Sequence, residues 1–162
     1  MMEEKLKVLK VMSEITSRID MNTFAQMVGL SADQTVERLQ ALVNSGFIKK
    51  IGGGYGITKK GQNILKATEL VPEGTAFHFY SDFEQPTGLL ARNLKEFYEI
   101  IKHVDKKALD FHLQRGDFEK WIKIAFGDPI LANELAEMKS SSLEGETLRS
   151  NILKTIAARY GL

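Results

Sequence analysis

The sequence predicts a mostly α-helical protein of the α+β class, built from two domains at residues 1–70 and 74–162. Three observations lead to this fold class. Apolar residues recur at spacings of three and four along most of the 162-residue chain, as they do on one face of a helix. One short alternating segment is interrupted by three consecutive glycines, which is typical of a hairpin. Pro72 and Gly74 interrupt any helix at a point where the composition changes.

Length and composition are those of a globular chain. Hydrophobic residues make up 43% and charged residues 27% of the sequence. No apolar run approaches the roughly 18 residues of a membrane span, and the first ten residues contain no signal-peptide core. Because cysteine is absent, the sequence excludes disulfides, thiolate metal sites and cysteine nucleophiles. We therefore expect a cytoplasmic protein that does not enter a membrane.

The net charge of +1 conceals a difference between the two halves of the chain. Residues 1–68 carry ten basic and six acidic side chains, whereas residues 69–162 carry twelve basic and fifteen acidic ones. Residues 47–68 contain five lysines and no acid. Such a block suggests an anionic partner for the N-terminal domain, with a solvated lysine face as the alternative.

The N-terminal domain is predicted to consist of three helices, a hairpin and a fourth helix. Asp20 or Asn22 is suited to cap the second helix, which ends at Gly29, and Ser31 is suited to cap the third. The glycines at 52–54 form the turn of the hairpin. The expected helices span 3–19, 23–28, 32–44 and 59–67, and the expected strands span 47–51 and 55–57.

The segment from Thr23 to Ile57 resembles a winged helix-turn-helix. The similarity lies in the L-x-x-L rhythm at 39–42, the Gly46-Phe47-Ile48 sequence that follows it, and the I-T-K-K-G sequence at 57–61. The resemblance implies that the helix at 32–44 enters the major groove of DNA. It also implies that the hairpin, or wing, lies over the DNA backbone.

The outward face of that helix suggests how DNA is read. If Val36, Leu39 and Val43 face inward, the polar side chains face outward, with Thr35 at the edge. Glutamine pairs with adenine and arginine with guanine or phosphate, whereas acids repel phosphates, although glutamate can accept from cytosine. Lysines of the wing and its flanks are expected to contact phosphates. The predicted DNA contacts are Ser31, Asp33, Gln34, Thr35, Glu37, Arg38, Lys49, Lys50, Tyr55, Lys59 and Lys60.

The C-terminal domain is predicted to be helical and rich in aromatic residues. Residues 75–80 have the pattern of a short β-like segment, followed by a polar turn at 81–86. Thr87 is suited to begin a helix that runs to Lys102. Further helices are predicted to follow the N-caps Asp105, Asp117 and Asp128, and the last helix to span 145–160.

Two blocks of this domain resemble a prokaryotic, largely archaeal, domain of unknown function. One block contains Phe77-His78-Phe79, Thr87-Gly88-Leu89 and residues 93–97. The other runs from Phe111 to Ile122 and is followed by Gly127-Asp128. The resemblance implies an architecture but no chemistry.

The sequence contains no motif that is typical of an enzyme. His103, Asp105, Asp110 and His112 lie within ten residues, but their spacing is not that of a metal or catalytic motif. A histidine beside phenylalanine on an amphipathic helix is more often a hydrogen-bonded core residue. A phosphate-binding P-loop and a serine-nucleophile elbow are also missing. We therefore expect no enzyme and no cofactor, with a His/Asp metalloenzyme as a minor alternative.

These observations favour a DNA-binding protein, a transcriptional regulator that reads double-stranded DNA with the helix at 32–44 and a short basic wing. The alternative is a protein-interaction or dimerisation module whose winged-helix platform does not bind DNA. A homodimer is also expected. The first helix carries an apolar stripe from Val8 to Ile19 and the last helix one from Leu148 to Tyr160, and we expect these two stripes to exceed what one subunit can bury. The alternative is that each stripe closes the core of its own domain.

Overall fold

The computed structural model describes residues 2–162, with side chains from Glu3 onward. The chain folds into two compact units, one up to Lys66 and the other from Ala67 to Leu162. As the sequence predicts, the architecture is mostly helical. It contains two small antiparallel hairpins, of which the sequence predicted only the first. Within residues 2–162, no helix is long and apolar enough to cross a membrane.

The N-terminal unit contains a helix-turn-helix followed by a β-hairpin. Its elements are α1 (Met2–Glu14), α2 (Met21–Val28), α3 (Ala32–Asn44), β1 (Ile48–Ile51), β2 (Gly54–Ile57) and α4 (Lys59–Thr68), whose last two residues belong to the C-terminal unit. The first helix is shorter than predicted, because it ends at Glu14 and not at Ile19. Beyond it the chain turns, with the Ile15 N–H donating to the Met12 carbonyl, and becomes extended at Asp20, which caps α2.

A glycine and a serine determine the turn between α2 and α3. Gly29 adopts a φ of 76°, and its N–H and that of Leu30 donate to carbonyls of the last turn of α2. Ser31 and Gln34 form a capping box, in which each side-chain oxygen accepts from the other residue's backbone N–H at 3.1 Å. The helix at 32–44 therefore has the predicted bounds.

The buried face of α3 differs from the prediction at two neighbouring positions. Thr35 is fully buried, together with Leu39 and Leu42, whereas Val36 is 48% exposed. Residues 35, 39 and 42 share one face at helical spacing, and Val36 lies about 100° away from Thr35. Burial of the threonine is tolerated because its hydroxyl donates to the Ser31 carbonyl at 2.8 Å. The inward assignment of Val36, and the placement of Thr35 at the edge of the DNA-reading face, are therefore wrong.

The junction between the hairpin and α4 depends on the absence of a side chain at Gly61. The strands β1 and β2 pair antiparallel with Ile48 opposite Ile57, and Thr58 Oγ1 accepts from the Gly61 N–H at 3.2 Å to cap α4. A Cβ at Gly61 would overlap the carbonyl oxygen of Phe47 and lie 2.7 Å from the Ile57 side chain. Glycine is thus needed here for close packing of α4 on the end of the hairpin.

The C-terminal unit is a helical bundle with its own hairpin. Its elements are β3 (Phe77–Asp82), β4 (Gln85–Ala91), α5 (Leu94–Ile101), α6 (Lys106–Arg115), α7 (Asp117–Trp121), a π-helical turn (Ile122–Phe126), α8 (Pro129–Ser140) and α9 (Gly145–Tyr160). The predicted helix start at Thr87 is wrong. Thr87 lies in β4 and donates its hydroxyl to the Phe79 carbonyl of β3, and α5 begins after Asn93, whose side chain accepts from the Glu96 N–H.

An aromatic core fills the C-terminal unit. Phe77, Phe97 and Phe118 pack edge-to-face or tilted with centroids 5.4 Å apart, and Trp121 stacks on Phe97 at 5.3 Å. The apolar stripe of α9 joins this core, with its four side chains at most 3% exposed. That stripe is therefore satisfied within one subunit, contrary to the reason given for a dimer. Its members are Leu148, Ile152, Ile156 and Tyr160.

Two aspartates that the sequence predicts as N-caps behave differently. Asp128 caps α8, with Oδ1 accepting from the N–H groups of Ile130 and Leu131, and its carboxylate also accepts from Arg159 and Tyr160 of α9. Asp117 is not a cap, because it is the first residue of α7 and follows Gly116, which ends α6 in a left-handed conformation. The Asp117 carboxylate is instead bonded to a side chain of α6.

Candidate nucleic-acid interface

The outward face of α3 is mostly uncharged or acidic. Asp33, Gln34, Val36, Glu37 and Gln40 are exposed along it. Val36 and Gln40 were not predicted as contacts. Because an apolar side chain can contact the methyl group of thymine and a glutamine can pair with adenine, both extend the set of groups that could read bases.

The capping box limits the hydrogen bonds that the side chains of Ser31 and Gln34 can make to DNA. Ser31 Oγ and Gln34 Oε1 are each occupied by the other residue's backbone N–H. A bidentate pair between Gln34 and adenine needs both ends of the amide. It would therefore require the capping bond at Oε1 to open or to be shared. Both side chains are exposed at the start of α3, where a phosphate or a base edge can reach them.

Arg38 is held by the first helix. Its Nε donates to the Glu4 carboxylate at 2.9 Å, and its Nη1 lies 4.0 Å from the Glu37 carboxylate. The guanidinium is partly buried, with 30% of the side chain exposed. The structure therefore shows Arg38 as a bridge between α3 and α1. The predicted contact between Arg38 and DNA requires the Glu4 pair to be exchanged or bifurcated.

The wing carries two adjacent lysines and one tyrosine. Lys49 and Lys50 are exposed on β1, and Lys50 pairs across the hairpin with the half-buried Tyr55 of β2. Because successive strand residues point to opposite faces, the two ammonium groups lie on different sides of the wing. Whichever face of the wing approaches DNA therefore presents only one of these two lysines.

Two more predicted contacts, Lys59 and Lys60, form the first turn of α4 and are exposed. Lys60 also donates to the Ser45 carbonyl at the end of α3 at 2.8 Å, and its ammonium lies 4.7 Å from the centre of the Phe47 ring. The N-terminus of a helix is its positive end, so cations there cost roughly 0.3–1 kcal/mol each. The fold thus concentrates positive charge beside the wing at some expense of helix stability.

The tertiary structure brings one further arginine to this region. Arg18 lies in the segment between α1 and α2, and its guanidinium approaches so closely that a Cβ at Gly53 would be 2.5 Å from it. Together with Tyr55 these residues line a cleft of about 610 Å³. Sequence reasoning missed Arg18, because its proximity to the wing arises only when the segment folds back on the hairpin.

His112, one of the histidine and aspartate residues considered for a metal or catalytic site, lies in the core of the C-terminal unit. Among the described residues, no group of three or more side chains could hold a metal ion. His112 is buried, with Nε2 accepting from the Tyr80 N–H at 2.8 Å and Nδ1 donating to the Asp117 carboxylate at 2.8 Å. Burial lowers the pKa of His112 below 6.5, against the opposing effect of Asp117. A neutral imidazole with both nitrogens occupied ties β3 to α6, as expected of a core histidine.

Comparison with known families agrees with this geometry. Residues 5–74 match the family described as winged helix-turn-helix, so the N-terminal domain is a winged helix-turn-helix, a class of DNA-binding domain. Residues 61–157 match the family of unknown function designated DUF5752, which covers more than half of the chain. The protein therefore belongs to this family of unknown function. No curated protein and no solved structure matches the chain.

Proposed function

We propose that the protein binds double-stranded DNA as a transcriptional regulator, with α3 in the major groove and the wing over the backbone. The observation that carries the proposal is the winged helix-turn-helix itself, whose capped α3 presents an exposed face and whose hairpin and flanking segments carry exposed cations. These cations are Arg18, Lys49, Lys50, Lys59 and Lys60, and the four lysines lie in the acid-free segment 47–68. No catalytic step and no cofactor form part of this proposal, and the expected cytoplasmic location follows from access to the chromosome.

Salt dependence of binding tests the proposal most directly. Each lysine that neutralises a phosphate releases counterions, so log Kd should change with log salt by about 0.9 per contact. Duplex affinity measured by fluorescence anisotropy between 50 and 300 mM salt is expected to fall steeply. Because Lys49 and Lys50 lie on opposite faces of the wing, one of the variants Lys49→Ala and Lys50→Ala should weaken binding to all sequences alike and reduce the slope by about one unit, and the other should leave the slope unchanged. Lys10→Ala, which removes an exposed lysine of α1, is the matched control and should leave the slope unchanged. A slope near zero in the wild type would contradict the proposal.

The second candidate is a protein-interaction platform. It is favoured by one feature of α3, whose outward face carries Asp33 and Glu37 and an exposed Val36, while Arg38 is engaged by Glu4. Acids repel phosphates, and an exposed apolar side chain suits a protein contact. The same anisotropy titration separates the two, because a platform of this kind would show no saturable binding to duplex DNA at low salt.

We also propose that the regulator is a homodimer, since one winged helix contacts too few bases for specific binding and two-fold symmetry doubles the contacts. The buried stripe of α9 cannot form the interface without unfolding. The first helix and the segment after it offer the half-buried Met12, Ile15 and Ile19. Sedimentation at micromolar concentration should show a dimer that Ile19→Asp dissociates without loss of helical signal, and a monomer of 18.2 kDa would contradict this part.

A further inference from the structure

A second cleft, of about 540 Å³, lies in the C-terminal unit and plays no part in the proposed DNA contact. It is bounded by the tip of the β3–β4 hairpin, the end of α6 and the π-helical turn, and its inner surface includes the nearly buried rings of Phe77 and Trp121. Its volume falls within the roughly 300–1,000 Å³ of small-molecule sites. The cleft belongs to the part of the chain that matches the family of unknown function.

Two apolar side chains stand unusually exposed in the lining of this cleft. Phe83 is 70% exposed and Ile124 is 74% exposed, more than any other large hydrophobic residue that the structure describes. Ile124 occupies the π-helical turn, a rare conformation that is frequent at functional sites. Phe83 is followed at the hairpin tip by Glu84, which adopts a φ of 56° although it is not glycine. A ligand body lying against Phe83 and Ile124 would remove both side chains from water.

Arg115 provides a polar anchor at the same cleft. Its guanidinium packs against two rings, 5.1 Å from the centre of Phe83 and 5.0 Å from the centre of Phe111. Its Nε lies 3.5 Å from the Asp117 carboxylate, and within residues 2–162 its terminal nitrogens donate no hydrogen bond. These two cation–π contacts hold the guanidinium beside the rings, and its two terminal nitrogens can donate to an oxyanion.

The lining carries charges of both signs, with three carboxylates at Asp82, Glu84 and Asp117 and two cations at Arg115 and Lys120. Lys120 adds a second exposed cation. Of the acids, Asp117 is already engaged by His112 and Arg115, and Asp82 accepts from the Phe83 N–H at 2.7 Å. Glu84 lies exposed at the hairpin tip, where it can turn toward water. Arg115 and Lys120 are thus the groups of this lining that can pair with a ligand carboxylate.

We propose that this cleft binds a small carboxylate with a compact aromatic or aliphatic body. The carboxylate accepts a bidentate pair from Arg115, supported by Lys120, and the body lies between Phe83 and Ile124 on the surface that includes Trp121. This inference is independent of DNA binding, and the test uses the full-length protein without DNA.

The probe is 3-phenylpropionate, and 3-phenylpropionamide is its uncharged counterpart. Calorimetric titration and the fluorescence of Trp121, the single tryptophan of the chain, report binding. A ligand of this size is expected to bind with a Kd of about 0.1–1 mM. The amide should bind at least about tenfold more weakly, because it lacks the charge-assisted pair with the guanidinium. Equal affinity for the acid and the amide, or no saturable binding of the acid, would overturn the proposal.

Matched variants locate the site. Arg115→Met keeps the apolar length of the side chain and should weaken the acid at least about tenfold, whereas Arg92→Met, which alters an exposed arginine outside the cleft, should not. Ile124→Glu provides an independent test, since Ile124 is exposed and its replacement leaves the core intact. It should abolish binding with an unchanged urea midpoint. Unaltered affinity in either cleft variant would show that the acid binds elsewhere and would refute the assignment.

Discussion

Replacing Asp128 by asparagine is expected to destabilise the C-terminal unit by about 2–3 kcal/mol at neutral pH. Burial by itself would raise the pKa of this carboxyl, but hydrogen bonds from Arg159, Tyr160 and the Leu131 N–H outweigh it and lower the pKa from 3.8 to about 2. At about 1.4 kcal/mol for each pH unit, this difference corresponds to about 2.4 kcal/mol. Asparagine is a good N-cap and nearly isosteric, so the substitution removes mainly the charge.

The same linkage gives the pH dependence of the wild type. The pKa of Asp128 is lower in the folded protein than the value of 3.8 expected in the unfolded chain. Its carboxylate therefore stabilises the fold fully at pH values above 3.8, and this contribution is lost as the pH falls toward about 2. Urea unfolding followed by Trp121 fluorescence measures both effects in the unit that contains Asp128. At about 4–8 °C per kcal/mol for a domain of this size, the melting temperature of Asp128→Asn should drop by at least about 10 °C.

A second capping aspartate serves as the matched control. Asp105 accepts from the Lys107 N–H at the start of α6, but it is exposed and makes no ion pair within residues 2–162. Asp105→Asn should therefore change the free energy of unfolding by less than about 0.5 kcal/mol. If Asp128→Asn cost no more than Asp105→Asn, or if its stability fell below pH 4 as steeply as that of the wild type, the assigned role of the Arg159 and Tyr160 contacts would be refuted.

Three further outcomes can be measured. Burial lowers the pKa of His112 below 6.5, so near pH 6 the unfolded chain binds a proton more readily than the folded chain does. The free energy of unfolding should therefore decrease as the pH falls from 6.5 to 5, by at most about 1.4 kcal/mol per pH unit. His112→Gln should make this pH dependence shallower in urea titrations. Gly61→Ala should destabilise the N-terminal unit by about 1–3 kcal/mol in thermal circular dichroism, because the new Cβ overlaps its neighbours even though alanine favours a helix. Gly54→Ala is the control, since a Cβ at Gly54 meets no atom closer than 4.0 Å, and it should cost less than about 1 kcal/mol. A double-mutant cycle of Arg38→Ala and Glu4→Ala should give a coupling of about 0.2–1 kcal/mol, and a coupling of zero would show that the pair is not formed in solution.

Local signals in the sequence sufficed for most helix boundaries. Ser31, Gly29 and Asp128 act within a few residues of themselves, by accepting from nearby N–H groups or by adopting a left-handed turn, so their effect can be read without knowing the fold. The hairpin at Gly52–Gly54 followed from the same kind of local chemistry. These short-range preferences are also what made the winged helix-turn-helix recognisable, since its motifs are spaced turns and caps.

The tertiary structure decided which side chains share a surface. Val36 is more apolar than Thr35, yet the threonine is buried, because its hydroxyl finds a carbonyl one turn away and the packing direction of α3 is set by its neighbours. Thr87 has a helix-capping side chain but pairs in a strand, because Phe79 of β3 lies beside it. Contacts between residues far apart in the chain outweigh local propensity in both cases.

In the candidate sites too, some features follow from the sequence and others arise only from tertiary contacts. The lysines of the wing and of α4 were predicted from the sequence, because they lie close together along the chain in a segment without acidic residues. The position of Arg18 over Gly53 and the pairing of Arg38 with Glu4 were not, because each joins segments more than thirty residues apart. Sequence alone thus determined the class of domain and its local geometry. Only the folded chain decided which charges are available to a partner, since availability depends on every group that the fold brings within hydrogen-bonding distance.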